Sequence, residues 1–351
     1  MRLLFLANWP LKKEAKGGDY AFFAQWETRP VLRLMGTYNL GFITRFERYR
    51  LRFYVIAPLV AFLRAWRYDA VVAYSSQVGL PLALLFRLAP WRRVKLVIFD
   101  VESFGRVQSG LRLALTKFAM KAVDAVVYAS SRQIEYYRAV FPELAPRLHH
   151  IPIGIGPYPK TQPLGAPATG PIVASGHHGR AFRDWACLLR AYDRVKHRSW
   201  LTIVGRTELP PHDRDNVPVP PTVEFRPFLP TDEYKALLEA APFIVLPLPE
   251  RRQSLGQLSV LFCMAMGKPV VATRVMGIED YVADGETGLL VEPGDHEAMA
   301  EAMARLLDNP DEAVAMGRAA FDLLQERFTD KSMGAAWETM MRTVVSASRS
   351  R

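Results

Sequence analysis

Short apolar runs alternate with longer amphipathic segments along most of this chain. Short runs rich in valine, isoleucine and leucine are typical of strands buried in a parallel sheet. We expect such strands at residues 2–8, 69–74, 94–99, 125–128, 149–152, 171–175, 201–205, 222–227, 243–248 and 270–272. Helical patterns lie between them, with one helix expected over residues 20–34. This alternation predicts an α/β fold made of doubly wound parallel sheets.

The most informative stretch runs from Ser254 to Thr273. It opens with the small residues Ser254 and Gly256 and continues with apolar positions at helical spacing. Gly267 stands where a helix C-cap is expected, and residues 270–272 form a β-branched strand pattern. A glycine-containing loop, a helix, a turn and a strand therefore follow one another. The amino terminus of such a helix suits a phosphate group.

Residues 151–170 are rich in proline and glycine and divide the chain into two parts. With 351 residues, two domains are the natural expectation. We place the first at residues 1–155, a hinge-like linker at 156–170 and the second at 171–330. A last helix over residues 331–345 is expected to return to the first domain.

The charge is concentrated in the first part of the chain. The net charge is +10, and residues 1–150 contain 23 lysines and arginines against 10 acidic residues. Residues 44–67 hold six arginines among aromatic and aliphatic side chains, a pattern of proteins that lie on anionic membranes. A core helix with a solvated basic face is the alternative. The most apolar stretch, residues 53–63, is too short to span a bilayer. No signal peptide is evident, so we expect a protein of the cytoplasm or of its membrane face.

The composition also narrows the chemistry. Cys187 and Cys263 stand in apolar helical contexts and read as buried thiols of a reducing compartment. His177 and His178 lack neighbouring ligands at suitable spacing, so no metal site is expected. The dinucleotide fingerprint is missing after the first strand, which argues against a nicotinamide dehydrogenase. Nucleic-acid binding ranks last, because no aromatic stacking motif accompanies the basic residues.

Residues 254–273, followed by Gly277–Val282 and by the run Asp284–Asp295, resemble the carboxyl-terminal half of the retaining glycosyltransferases of family four. The last run contains the family's pattern D-G-x-T-G-x-L-V-x-P-G-D. The resemblance implies the GT-B fold, in which two Rossmann-like doubly wound parallel-sheet domains face a cleft. It also implies transfer of a sugar with retention from a nucleotide-diphosphate donor, with no metal or other cofactor required. The expected acceptor is lipid-linked or a polysaccharide.

The same resemblance assigns roles to individual residues. Arg180 and Arg183 would hold the donor diphosphate, since a guanidinium offers a fork of donors and keeps its charge. A surface ion pair of Arg183 with Asp184 or Glu239 is the alternative. Asp100 and Glu102 are candidates for the acceptor side because they follow a predicted strand, and ligands bind at the carboxyl ends of strands in open parallel sheets, although Asp100 could equally cap a helix or bind Arg106. The remaining candidates for the donor site are Gly17, Gly18, Gly205, Arg226, Phe228, Ser254, Gly256, Gln257, Leu258, Ser259 and Phe262.

One departure from the family pattern bears on activity. The family carries two glutamates eight residues apart, of which the first contacts the sugar and the second the ribose. Here these positions fall on or near Ser254 and on Phe262. Three explanations are open: Glu279 or Glu286 could replace the ribose contact, the donor could be an unusual one, or the protein could bind without transferring. A catalytically silent sugar-nucleotide binder or partner subunit is therefore the main alternative, and a sugar-nucleotide epimerase is a weaker one.

Overall fold

The chain, described by a computed structural model, folds as two compact units. Unit 1 comprises Met1–Gly154 and Asp330–Arg351, and unit 2 comprises Ile155–Thr329. The described residues are 1–11, 21–100, 109–156, 168–175, 183–210, 213, 216–251 and 254–346. Most of the predicted linker lies outside them.

Unit 1 contains six strands and the helices that flank them in the described ranges. The strands are β1 (Arg2–Leu6), β2 (Val31–Met35), β3 (Ala70–Tyr74), β4 (Lys95–Asp100), β5 (Ala125–Tyr128) and β6 (Leu148–His150). The α-helices are α1 (Phe42–Arg45), α2 (Ile56–Arg64), α3 (Ser76–Arg87), α4 (Gly110–Met120), α5 (Gln133–Val140) and α11 (Asp330–Ser346). A π-helix (Phe46–Leu51) and 3₁₀ turns at Ala21–Gln25, Ala65–Arg67 and Pro142–Arg147 complete it.

All six strands of unit 1 are parallel, in the order β2-β1-β3-β4-β5-β6. Successive residues of a strand point to opposite faces, and both faces of this sheet are apolar. Leu4 and Leu6 of β1 pack towards α2 and α3, whereas Leu3 and Phe5 pack towards Trp337 of α11. Burial on both faces explains why these strands read as continuous hydrophobic runs.

The predicted helix over residues 20–34 is wrong in its second half. A short 3₁₀ turn ends at Gln25, and Val31–Met35 is strand β2, paired with β1. Arg29 has a positive φ of 42° and precedes Pro30, which disfavours the helical conformation for the residue before it. The turn therefore ends the helix and starts a strand.

Helix α11 is held in unit 1 by aromatic packing and by hydrogen bonds to a carboxylate. The Trp337 ring packs on Phe22 and Phe99, with centroid distances of 5.2 and 5.1 Å. The Glu338 carboxylate accepts hydrogen bonds from Thr28 Oγ1 (2.6 Å) and from the backbone N–H of Glu27 (2.8 Å). The hydrogen bond from Thr28 contributes most to lowering the pKa of Glu338 to about 2.

Replacing Glu338 by glutamine should weaken unit 1 in a pH-dependent way. A carboxyl whose pKa is lower in the folded state stabilises it fully above the unfolded-state pKa of about 4.3. That contribution is lost as the pH falls towards 2. Urea unfolding should show the variant less stable by about 1–3 kcal/mol at pH 7, with the difference shrinking between pH 4.5 and 2. If the difference in stability between wild type and variant did not change with pH, the lowered pKa of Glu338 would not be the source of that stability.

Unit 2 has the same layered construction. Its strands are β7 (Ile172–Ser175), β8 (Leu201–Val204), β9 (Val223–Arg226), β10 (Ile244–Leu246), β11 (Val270–Thr273) and β12 (Gly288–Val291). Its helices are α6 (Trp185–Val195), α7 (Thr231–Ala240), α8 (Gln257–Ala265), α9 (His296–Asp308) and α10 (Pro310–Arg327). The sheet is parallel, in the order β12-β11-β10-β7-β8-β9. No helix in the described ranges is long and apolar enough to cross a membrane.

Candidate functional site

The strand order of unit 2 indicates where a ligand can bind. The chain runs outward from β7 to β8 and β9, then returns to β10 on the other side of β7. The loops that leave β7 and β10 therefore diverge, and in open α/β sheets ligands bind in the crevice at the carboxyl ends of such strands. Ser175 ends β7, and the loop after β10 leads to the amino terminus of α8.

Arg183 is fixed at this point by contacts with the end of β7 and with the first turn of α8. Its side chain is buried, with 7% of the residue exposed. Its Nε donates to the Ser175 carbonyl oxygen (2.7 Å), and one terminal nitrogen lies 3.4 Å from Ser259 Oγ on α8. Burial lowers the pKa of Arg183 to about 10, so the guanidinium stays charged at neutral pH. The structure thus brings a fixed positive charge to the first turn of α8.

The first turn of α8 has no side-chain cap. Gly256 is its N-cap residue, with φ of 86° and no side chain that could cap the helix. The first N–H groups of an α-helix have no acceptor within the helix and form the positive end of its dipole. With the Ser259 hydroxyl and the Arg183 guanidinium, they form a set of donors that matches a phosphate group.

The loop before α8 is held by Ser254 and Gln257. Both are buried, and Gln257 Nε2 donates a hydrogen bond to Ser254 Oγ. Gly277 packs directly on this pair with φ of 90°, and a Cβ at this glycine would overlap Ser254 Oγ. The predicted residues Ser254, Gly256, Gln257 and Ser259 therefore lie together. The Leu258 side chain, in contrast, is exposed.

Phe262 occupies an apolar setting one turn beyond Ser259. Its ring meets Tyr234 of α7 edge-on, with centroids 6.3 Å apart. Burial raises the pKa of Tyr234 to about 12, and its hydroxyl is hydrogen-bonded to Ser175. The position where the resembling family has a glutamate therefore carries a hydrocarbon ring that contacts Tyr234. Tyr234 was not anticipated from the sequence, where helical spacing to Leu237 and Leu238 indicates only a buried face.

A second group of predicted residues meets at the ends of β8 and β9. The backbone N–H of Gly205 donates to the Arg226 carbonyl (2.8 Å). The Phe228 ring lies so close to Gly205 that a Cβ there would come within 2.9 Å of it. The exposed Phe228 ring thus lies on the backbone of Gly205. An exposed aromatic ring can stack with a flat ligand. The Arg226 side chain pairs with Glu224 (2.9 Å).

In unit 1, Asp100 has a structural contact. It ends β4, is fully buried, and accepts a hydrogen bond from Tyr137 Oη (2.6 Å). Burial, and then the charge of Asp100, raises the pKa of Tyr137 well above its usual value. The contact ties α5 to the sheet, and a role of Asp100 towards an acceptor stays a prediction. Glu102 and Arg106 lie outside the described residues, as do Gly17, Gly18, His177, His178 and Arg180.

The sheet of unit 1 has its own point of divergence, between β1 and β3. There, Asn8 Nδ2 donates to Ser75 Oγ (3.0 Å) and approaches Gln77 Oε1 (3.4 Å). Ser75 has a positive φ of 74°, uncommon for a residue with a side chain. All three polar residues lie within three positions of the end of an apolar strand, which is the sequence signal that would have revealed them.

Metal-binding groups are missing from the part of the chain that the structure describes: no three His, Cys, Asp or Glu side chains there are placed to hold an ion.

Comparison with known proteins finds a glycosyltransferase family match within unit 2 and similar folds among solved structures. Residues 172–309 match the protein-family model described as Glycosyl transferases group 1. A D-inositol 3-phosphate glycosyltransferase from Corynebacterium glutamicum is 31% identical over 171 residues, which cover 45% of this chain and 40% of that protein. The first curated relatives are matched over less than half of their own length.

Solved structures match the whole chain. Sucrose-phosphate synthase from Thermosynechococcus elongatus has a TM-score of 0.74 at 20% identity, covering 99% of this chain and all of that one. HepE from Anabaena, in complex with UDP-glucose, has a TM-score of 0.65 at 18% identity, again over 99% and 100%. At these identities the likeness concerns the fold. The predicted fold class, two parallel-sheet Rossmann-like units of the GT-B type, is confirmed.

Proposed function

We propose that this protein is a retaining glycosyltransferase that transfers a sugar from a nucleotide-diphosphate donor to a lipid-linked or polysaccharide acceptor. The observation that carries the proposal is the buried Arg183 beside Ser259 at the uncapped first turn of α8. The group-1 match over residues 172–309 contains these residues. The curated relatives include a D-inositol 3-phosphate glycosyltransferase, and the similar structure of HepE is a complex with UDP-glucose.

In this mechanism, the donor diphosphate lies against Arg183, Ser259 and the N–H groups of the first turn of α8. As the bond from the anomeric carbon to the phosphate oxygen lengthens, negative charge grows on that oxygen. Groups already fixed around it stabilise this charge without reorganising, which is the main source of rate enhancement at such sites. Arg183 is fixed in this sense because its Nε is bound to the Ser175 carbonyl.

Retention follows if the acceptor hydroxyl attacks from the side on which the diphosphate leaves. The hydroxyl oxygen bonds to the anomeric carbon, and its proton passes to the departing phosphate oxygen. No pair of facing carboxylates is then needed, in contrast to retaining hydrolases. Catalysis reduces to positioning two substrates and neutralising the leaving group.

Phe262 cannot form the hydrogen bond to the ribose that the second glutamate of the resembling family forms. Loss of a charged hydrogen bond costs about 1.5–3 kcal/mol, which weakens donor binding without abolishing it. Glu279 follows two residues after Gly277, which packs on the Ser254–Gln257 pair, so it is our candidate for the replacement. The alternative, a silent sugar-nucleotide binder, predicts that Phe262→Glu leaves the protein inactive and that a partner co-purifies.

We further propose that the acceptor is reached at an anionic membrane surface. Of the 22 large hydrophobic side chains exposed in the described residues, 18 belong to unit 1 and four to unit 2. The six arginines of residues 44–67 are all exposed among them. Apolar side chains entering the acyl boundary and guanidinium groups meeting lipid phosphates support attachment of this kind.

A nucleotide panel is the direct test of the donor proposal. A ligand that binds only the folded protein stabilises it by mass action, by about 2.7 kcal/mol at a hundredfold excess over Kd. The thermal midpoint rises as a result. We expect one nucleoside diphosphate among UDP, GDP, ADP and dTDP to do so, and its sugar conjugate to be hydrolysed or transferred. A shift without turnover would favour the silent binder. If none shifts the midpoint and no donor is consumed, the proposal fails.

A further inference from the structure

Unit 1 contains an apolar groove that the proposed donor site does not use. It lies among the π-helix, α2, α3 and α4 and has a volume of about 390 Å³. Its lining consists of Leu51, Phe53, Val55, Leu59, Leu80, Pro81, Leu84, Leu85, Arg112, Leu115, Thr116 and Ala119. The volume is in the range of small-ligand pockets, about 300–1,000 Å³. Among the described residues of the lining, Arg112 and Thr116 are the polar ones.

The groove walls are apolar side chains that water reaches. Leu51, Val55, Leu59, Leu84 and Leu115 all line the groove and are all strongly exposed. Contiguous exposed apolar surface of this kind marks a binding site in soluble proteins. The groove is therefore a place where burial of hydrocarbon would be favourable.

The segment that supplies Leu51, Val55 and Leu59 to the groove carries a net positive charge. Glu47 is the only acidic residue within residues 38–67, and it is 5% exposed. Its Oε1 accepts hydrogen bonds from the backbone N–H groups of Val55 (2.8 Å) and Ile56 (3.0 Å), so its charge stabilises the start of α2. The six arginines of residues 44–67 remain on the surface, and Arg112 lies over the Phe53 ring at 4.9 Å. The surface thus offers positive charge beside an apolar groove.

We propose that this groove takes a hydrocarbon chain of an anionic membrane lipid while the arginines hold its headgroup phosphate. A peptide in the same groove would bury backbone N–H and C=O groups against side chains that cannot pair with them. A second copy of this chain would bring the same arginines together, and like charges repel. A hydrocarbon chain has neither difficulty, and its anionic headgroup matches the surrounding charge. This deepens the proposed function, because it rests on the acceptor being met at a membrane.

Photo-cross-linking with the full chain tests the proposal. The probe is a vesicle of phosphatidylcholine and phosphatidylglycerol in which the phosphatidylglycerol carries a diazirine on one acyl chain. After irradiation, digestion and mass spectrometry, we expect adducts on groove residues of α2, α3 and α4, including Leu59, Leu84 and Leu115. Sedimentation with the same vesicles should fall as salt is raised, because the arginine contacts are screened.

Two leucines of α4 provide a matched pair of variants. Leu115 lines the groove and is 50% exposed, whereas Leu111, one turn earlier, is 76% exposed and does not line it. Leu115→Asn should lower the yield of groove adducts about tenfold, because a polar amide replaces the leucine against the hydrocarbon chain. Leu111→Asn should leave it unchanged. Both positions are exposed, and equal thermal midpoints would show that both variants fold.

Three results would overturn the proposal. Adducts confined to exposed aromatics outside the groove, such as Phe42 and Trp91, would show surface docking without a chain site. Absence of vesicle binding would remove the lipid altogether. A dimer that forms without lipid and dissociates in Leu115→Asn would assign the groove to a second copy. Because cross-linking needs no sugar transfer and the nucleotide panel needs no vesicles, failure of one proposal is distinguishable from failure of the other.

Discussion

Replacing Arg183 by alanine is expected to lower donor turnover by about 10²–10³-fold, the usual cost of removing one fixed donor from a site that stabilises developing negative charge. The effect should be large because this guanidinium is buried and held by the Ser175 carbonyl, and a water molecule that enters the vacated space carries no positive charge. Initial rates of nucleotide-sugar hydrolysis, or of transfer to the acceptor once it is known, provide the measurement.

Two further variants separate charge from geometry. Arg183→Lys keeps a positive charge but lacks the fork that joins Ser175 to Ser259, so it should recover only part of the lost rate. Arg194 is an exposed arginine of α6 paired with Glu297 in the same unit, and Arg194→Ala should leave turnover unchanged. Circular dichroism and thermal unfolding must show folded protein in each case. Wild-type turnover in a folded Arg183→Ala would remove Arg183 from the mechanism.

Gly277→Ala should be the most damaging of the single methyl additions near the site, with a loss of about 3 kcal/mol in the free energy of unfolding. Two costs combine. A non-glycine residue at a φ of 90° is strained by about 1–2 kcal/mol. The added methyl would also overlap Ser254 Oγ and come within 2.7 Å of Gln257 Nε2, which forces the buried pair apart at a further cost of about 1–3 kcal/mol.

Gly285 supplies the control, because it has a similar φ of 79° and open space where a Cβ would lie. Gly285→Ala should therefore cost about 1–2 kcal/mol by backbone strain alone. The difference between the two variants in urea unfolding isolates the close contact with Ser254 and Gln257. Gly277→Ala should in addition weaken nucleotide binding, and Gly285→Ala should not. Equal losses in both variants would show that the contact with Ser254 has no energetic role.

The elements that could be predicted from the sequence are those whose pattern is local. Residues 125–128 form β5 as predicted, and the stretch from Gly256 to Thr273 forms a loop, helix α8 and strand β11 in the predicted order. Pro58 falls in the first turn of α2, where proline is tolerated, so the arginine-rich segment divides into a π-helix and a separate α-helix. Strand β2 was missed because its pairing with β1 is a long-range contact.

The site divides in the same way. Arg183, Ser259 and Gly256 could be named because they match motifs of the family that the sequence resembles. Tyr234 could not, since it reaches Ser175 only through the packing of α7 against its neighbours. The burial of Asp100 under Tyr137 likewise depends on how α5 lies on the sheet. The residue type indicates whether a side chain can bind a phosphate. The order of the strands in the sheet determines which side chains lie together.

Helix α11 has a consequence for the order in which this protein acquires its structure. Chains are synthesised from the amino terminus, and domains fold as units once their residues are available. Unit 2 is complete in sequence at Thr329, whereas Phe22 and Phe99 of unit 1 remain uncovered until Trp337 has been translated. The half that begins first therefore finishes last, and a nascent chain stalled before residue 330 would present an aromatic surface to chaperones.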